Sequence, residues 1–440
     1  MFNLNVKKEN KFISYINEHA LWEFRDGKYK YMNELYKVFT IKNEKNLQKE
    51  IAKVFIEILS DKTVKQLIQL DERCRSYAYL CIYLEDGIEG YKPDWKKFKF
   101  ARDDFKHLTE EEYIAVLRMG TYHISGFVRQ MCMEYLEKYE NNLLFYLIRV
   151  NDWVSDIRNM AYLLSIKEVE VDDVTVLLKS LLVIDKVIKS GRRELEHIYE
   201  LDKAVKINIE KKIIGCPMEV IFECDVNIRN MFYKFLNDTN IFSLDYLKKL
   251  LSMEKTGYGK KLIIQNIFNN YNIEMDDVDN FLKSKNTIIR FMALEYKYQM
   301  VKNSWDGLEA MLMDKSKKIR DSASFILLRN TKFNILDFYK EQLKIKENSI
   351  AILGIVEQGK SEDVQIILQY LKSESVVIIK NVLKAYGMLV GDKGSDLYWE
   401  YLHHPSALIY MEAFRLIKKH NVQYDGKQLF EEYEKYYDLI

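Results

Sequence analysis

The chain has 440 residues with only 3 Pro and 16 Gly. It is longer than the ~250–300 residues at which one compact core stops growing, and it is poor in the residues that punctuate sheets and loops. Hydrophobic residues at 48% and charged residues at 30% exclude a disordered chain, and 67 Lys plus Arg against 66 Asp plus Glu argue against a protein that coats nucleic acid or an anionic membrane.

The first residues, MFNLNVKKENKF, have no basic segment followed by an apolar run and do not read as a signal peptide. Residues 1–115 carry helical patterning, clearest in KEIAKVFIEILSD from Lys49 and EEEYIAVLRMG from Glu110. Between them, EDGIEGYKPDWKKFKFARDD from Glu85 clusters Gly87, Gly90 and Pro93 and predicts a loop or insertion. We expect 1–115 to be a helical cap or a set of degenerate repeats.

From residue 116 to 440 a pattern recurs. An apolar residue and a base are followed by an apolar residue three positions after the base: Val128-Arg129 with Cys132, Ile157-Arg158 with Ala161, Ile228-Arg229 with Phe232, Ile289-Arg290 with Ala293, and Ile319-Arg320 with Ala323. Steps of thirty from Arg290 reach Lys260, Arg320, Ile350, Lys380 and Tyr410, while Arg129 to Arg158 is 29 and Arg158 to Arg229 is 71, which is two units plus an insertion. Ile319, Ala323, Ile326 and Leu327 fall at i, i+4, i+7 and i+8, as do Ile228, Phe232, Phe235 and Leu236, and Val128, Cys132, Tyr135 and Leu136. That spacing puts four side chains on one helix face.

A shorter amphipathic run precedes each of these helices: DDVDNFLK from Asp276, SWDGLEAMLM from Ser304, EDVQIILQYL from Glu362 and SDLYWEYL from Ser395. Ser304, Asp363 and Ser395 are predicted N-caps, and DKSKK, KSES and HHPS are polar turns. The most apolar stretch, VTVLLKSLLVIDKVIK from Val174, is interrupted by Lys179, Asp185 and Lys186 and is too broken to span a bilayer. A thirty-residue hairpin cannot bury its apolar stripe alone but can do so against its neighbours. The expected fold is therefore all-α, an α-solenoid of stacked helical hairpins. Ser349 and Ile350 break the pattern, and 166–222 is irregular.

The polar turn followed by Ile-Arg-x-x-Ala resembles the HEAT repeat, and the thirty-residue period resembles the short bacterial HEAT-like variety. The resemblance covers 116–440. It implies that the markers Arg129, Arg158, Arg229, Lys260, Arg290, Arg320 and Lys380 open the second helix of each unit and bond to a carboxylate or carbonyl of the neighbouring unit, a task that suits the guanidinium fork. The competing reading is a basic ladder that grips phosphates.

Some HEAT-like proteins are DNA glycosylases that remove alkylated bases, using Trp, Asp and Arg to stabilise a cationic sugar. In NDWVSDIRNMA, Trp153, Asp156 and Arg158 resemble such a group. Their spacing departs from that family's, and a second W-x-x-x-D at Trp22 and Asp26 shows how readily such matches arise. Glu194/His197 and Glu400/His403 each read E-x-x-H, but in a solenoid two copies 206 residues apart do not meet to hold metal. TGYGKK at 256–261 lacks the Ser or Thr of a phosphate loop. Cysteines 74, 81, 132, 216 and 224 form no C-x-x-C pair, which suggests neither zinc nor a disulfide framework and fits a reducing compartment. The expectation is a non-enzymatic cytoplasmic scaffold that binds a protein partner, without cofactor, metal or membrane. The glycosylase is the alternative, with a non-catalytic nucleic-acid binder behind it.

Overall fold

A computed structural model describes residues 12–60, 62–76, 93–190 and 195–423, together with 426, 427, 430 and 434. The described residues form helices and turns with no β-strand. The protein is all-α. No helix among them is long and apolar enough to cross a membrane. Gly87 and Gly90 of the expected loop, Cys81 and Glu194 lie outside the described residues, and Pro93 opens a stretch without regular helix up to Ala101.

The chain divides into two compact units, 1–271 and 272–440. The first contains α1 (Leu21–Arg25), α2 (Met32–Val38), α3 (Lys45–Ser60), α4 (Val64–Ser76), α5 (Glu110–Gly120), α6 (Gly126–Leu136), α7 (Leu143–Arg149), α8 (Ser155–Val171), α9 (Val174–Lys189), α10 (Leu195–Ile213), α11 (Glu219–Glu223), α12 (Val226–Leu236), α13 (Leu244–Met253) and α14 (Gly257–Asn270). Hairpins α5–α6, α7–α8 and α13–α14 pack internally, and α8 packs on α6 while α14 packs on α12. In the irregular stretch, α9 and α10 form a long pair between α8 and α12. Helices α3 and α4 pack against α5, α7 and α9, so residues on both sides of position 115 share one core.

The second unit contains α15 (Met275–Leu282), α16 (Thr287–Val301), a 3-10 turn (Leu308–Met313), α17 (Lys317–Asn330), α18 (Ile335–Ile345), α19 (Ser349–Gln358), α20 (Val364–Leu368), α21 (Val376–Val390), α22 (Ser395–Leu402) and α23 (Ala407–Lys419). The first element of each hairpin packs on the helix after it, and α16 meets α17, α19 meets α21, and α21 meets α23. Within each unit these contacts fit stacked hairpins.

The marker positions open α6, α8, α12, α14, α16, α17, α21 and α23, and the anticipated face is the buried one. Ile319, Ala323, Ile326 and Leu327 are buried, as are Ile228, Phe232, Phe235 and Leu236, and Val128, Cys132 and Leu136; Tyr135 is half-buried. In α19 the buried stripe is Ile352, Ile355 and Val356, one residue earlier in the thirty-residue step than elsewhere. The exception at Ser349-Ile350 is thus a slip of register with the core face preserved.

Of the three predicted N-caps, Asp363 does stand at the N-cap of α20, without a side-chain bond into the helix, while Ser304 and Ser395 need correction. Ser304 precedes a 3-10 turn whose cap is Gly307. Ser395 is the first residue of α22, capped by Gly394 without a side-chain bond. Asp363 accepts from the Lys360 backbone N–H, upstream of α20. Caps with side-chain bonds instead come from Asp173, Asp225, Ser243, Thr256, Asn286, Asn334 and Asn348, where the chain enters the helix from an extended residue.

Candidate functional site

The marker arginines share one geometry. Nη1 donates to the carbonyls of the residue's own turn, while Nε and Nη2 face a carboxylate further along. Arg290 donates to Ser284 O at 2.8 Å and grips Asp314 at 2.6 and 2.9 Å. Arg129 donates to His123 O and Ile124 O and grips Asp152 through two bonds of 2.8 Å. Arg229 donates to Cys224 O and to Glu254 at 3.0 Å. Arg320 donates to Asp314 O and grips Glu357 at 2.6 and 3.0 Å. The joint expected from the resemblance is present at these four positions.

The receiving carboxylates also organise their own turns. Asp152 Oδ1 accepts from Val154 N–H, Glu254 Oε1 from Thr256 N–H, and Asp314 Oδ1 from Ser316 N–H. His123 Nδ1, Ser284 Oγ and His404 Nδ1 do the same for Ser125, Asn286 and Ser406. All six acceptors stand six residues before a marker position. Sequence reasoning missed this second periodicity, although the acid 23–25 residues after Arg129, Arg229 and Arg290 is visible in the sequence.

Electrostatics follow. Burial works against the charge on Asp152, but Arg149 and Arg129 outweigh it and hold the carboxyl below its usual range. Glu254 is also opposed by burial, and bonds from Thr256, Tyr233 and Arg229 bring it down to about 2. Burial and nearby Arg129 push His123 down to about 3, so it is neutral at pH 7 with Nδ1 as the acceptor. Asp152 belongs to a buried network in which Arg149 of α7 bonds Asp152 at 3.0 Å and also bonds Asp71 of α4.

The structure places the glycosylase candidates around one turn. Trp153 is 55% exposed, Asp156 is exposed on the first turn of α8, and Arg158 Nη1 donates to the carbonyls of Asp152 and Trp153. Arg158 therefore braces its own turn as the other markers do. His197 stacks on Tyr162 at 4.2 Å, and His403 caps the end of α22. Thr256 of the TGYGKK stretch is the N-cap of α14, accepting from Gly259 N–H. Burial pushes the Cys224 thiol up to about 11, which leaves it protonated and weakly nucleophilic at neutral pH. Among the described residues no group of three or more His, Cys, Asp or Glu is arranged to hold a metal ion.

The first unit also has an open cleft of about 720 Å³ where the α3–α4 turn, α5, α7, α9 and the start of α12 converge. Leu59, Ile114, Leu144 and Ile228 supply apolar walls. Lys62, Arg118 and Lys179 face Glu110, Glu111 and Asp225 around them. Arg118 is tied by bonds to Asn142 Oδ1 and to the Glu140 and Asn141 carbonyls. Such walls fit an apolar side chain flanked by charges of both signs, a pattern suited to a peptide segment. These residues span positions 59 to 228, so no local motif announces the cleft. No protein-family model matches the chain, and no curated protein matches it.

Proposed function

We propose that this chain is a HEAT-like, non-enzymatic cytoplasmic scaffold that binds another protein, with the mixed-charge cleft of the first unit as a docking point. The observation that carries the reading is the use of the marker guanidiniums. Those of Arg129, Arg229, Arg290 and Arg320 are held between carboxylates and turn carbonyls. They brace the repeats and do not form an open ladder for phosphates, which favours a protein partner over nucleic acid. The cleft's apolar walls and balanced charges point the same way.

The test is affinity capture from the native cell with wild-type chain and with Ile114→Glu/Leu144→Glu. The reading expects a protein retained by the wild type and lost by the variant. Binding to DNA that falls steeply with salt, or release of an alkylated base that disappears in Asp156→Asn, would replace the scaffold with one of its alternatives.

A further inference from the structure

We propose that the outer face of α21 and α23 is a docking groove for an acidic amphipathic helix of a partner protein. The proposal rests on the scaffold reading and names the kind of segment the second unit takes.

The two helices pack one repeat apart. Ile379 and Leu383 share a buried cluster with Ile409, Ala413 and Leu416. Gly387 admits Leu416 so closely that a Cβ there would lie 2.4 Å from its Cδ2. Ile379 and Ile409, both in the first turn of their helices, share that cluster, and Gly387 meets Leu416 towards the other ends, so the helices run parallel. Their outer stripes are consequently in step: Lys384 and Met388 on α21 occupy the repeat positions of Phe414 and Lys418 on α23. Axes of packed helices lie roughly 8–10 Å apart, which leaves a shallow trough between two such stripes.

The two stripes interleave exposed apolar side chains with bases. Val377, Met388, Met411 and Phe414 are all exposed, Met411 at 58% and Phe414 at 44%. Met side chains are unbranched and adapt to an incoming apolar surface. Helix α21 carries Lys380 and Lys384 and no acid at all. On α23 the one acid, Glu412, is buried and bonded to Arg415, while Lys418 and Lys419 are exposed. On a chain with balanced charge overall, this face is basic and lacks an exposed carboxylate. Its complement is a helix with apolar residues at i, i+3, i+4 and i+7 and Glu or Asp on its flanks. Nucleic acid fits less well, because Phe414 is the one exposed aromatic ring on the two stripes and successive bases need a row of them.

The experiment is fluorescence anisotropy with the full chain and a labelled synthetic helical peptide, Leu at i, i+3, i+4 and i+7 and Glu at most other positions. The expected result is saturable binding, weakened about tenfold or more by Met411→Glu/Phe414→Glu and less by Lys384→Glu/Lys418→Glu. The same peptide with Lys in place of Glu should not bind. Circular dichroism confirms that these surface variants remain folded. Absence of saturable binding, or equal binding by the variants, overturns the proposal. So does preferential binding of duplex DNA or phosphatidylserine vesicles, or self-association that Met411→Glu abolishes. Ile114→Glu/Leu144→Glu should leave the peptide affinity unchanged. If the peptide fails to bind while capture of a native protein still depends on Ile114, the groove is wrong and the scaffold reading stands.

Discussion

A guanidinium withdrawn from water is costly unless a carboxylate and further acceptors meet it, and removing one partner of a buried pair costs about 3–5 kcal/mol. Arg290 and Arg129 meet that requirement with bidentate acids and turn carbonyls. Where the marker is a lysine, the partner is missing as well: 24 residues after Lys380 stands His404, which organises its turn through Nδ1 but carries no carboxylate. The joint should therefore be transferable. In a double-mutant cycle, Lys380→Arg with His404→Asp should be more stable than the sum of the single changes by about 1–2 kcal/mol, read from urea midpoints. Additive single effects would show that geometry at this joint differs from that at Arg290. The marker series was legible because apolar–base–x–x–apolar recurs at a fixed interval. Glu357 was not legible as the partner of Arg320, since it lies 37 residues on, in the helix whose register slips.

At the scale of the element, α8 ends on a conflict. Glu168 and Asp172, one turn apart, are both buried at its C-terminus, where the helix dipole already disfavours negative charge. Burial and the neighbouring Glu168 push Asp172 up to about 7, and burial raises Glu168 too. The facing groups are Arg118 of α5, the Asn142 N–H, Tyr146 of α7, Lys212 of α10 and the adjacent Asp173. A carboxyl raised on folding favours the native state while protonated. Its contribution is complete below about pH 4 and is lost as pH climbs through about 7. Asp172→Asn should thus resemble wild type at pH 5 and exceed it in stability at pH 8, measured by urea unfolding at both values. Equal destabilisation at both would mean that folding does not raise the Asp172 carboxyl. Helix extents such as Glu110–Gly120 followed directly from apolar spacing, but no local pattern reveals that two acids of one helix meet a third element. The slip at α19 was equally hidden. There Gly354 lies beneath the Tyr339 ring, 2.3 Å from a would-be Cβ, a close approach of α18 to α19 that no local pattern announces.

Over the whole molecule, repeats run in thirty-residue steps from Lys260 to Tyr410 without marking position 271, where the chain divides into its two compact units. The division was not legible because it lies in packing density and not in local pattern. The N-terminal 1–115 likewise carries no marker, yet α3 and α4 enter the same core as α5, α7 and α9, tied there by Asp71 and Arg149. In a row of units joined mainly to nearest neighbours, a lost joint should weaken its own neighbourhood before the rest. Asp152→Ala tests this, because it removes the carboxylate that Arg129 and Arg149 share. Hydrogen exchange should speed up in α6, α7 and α8, and in α4 through Asp71, by an amount corresponding to about 3–5 kcal/mol of local stability. Protection in 272–440 should change little. Uniform loss across both units would mean that the chain unfolds as one cooperative body, and that the arginine joints couple the whole array beyond adjacent hairpins.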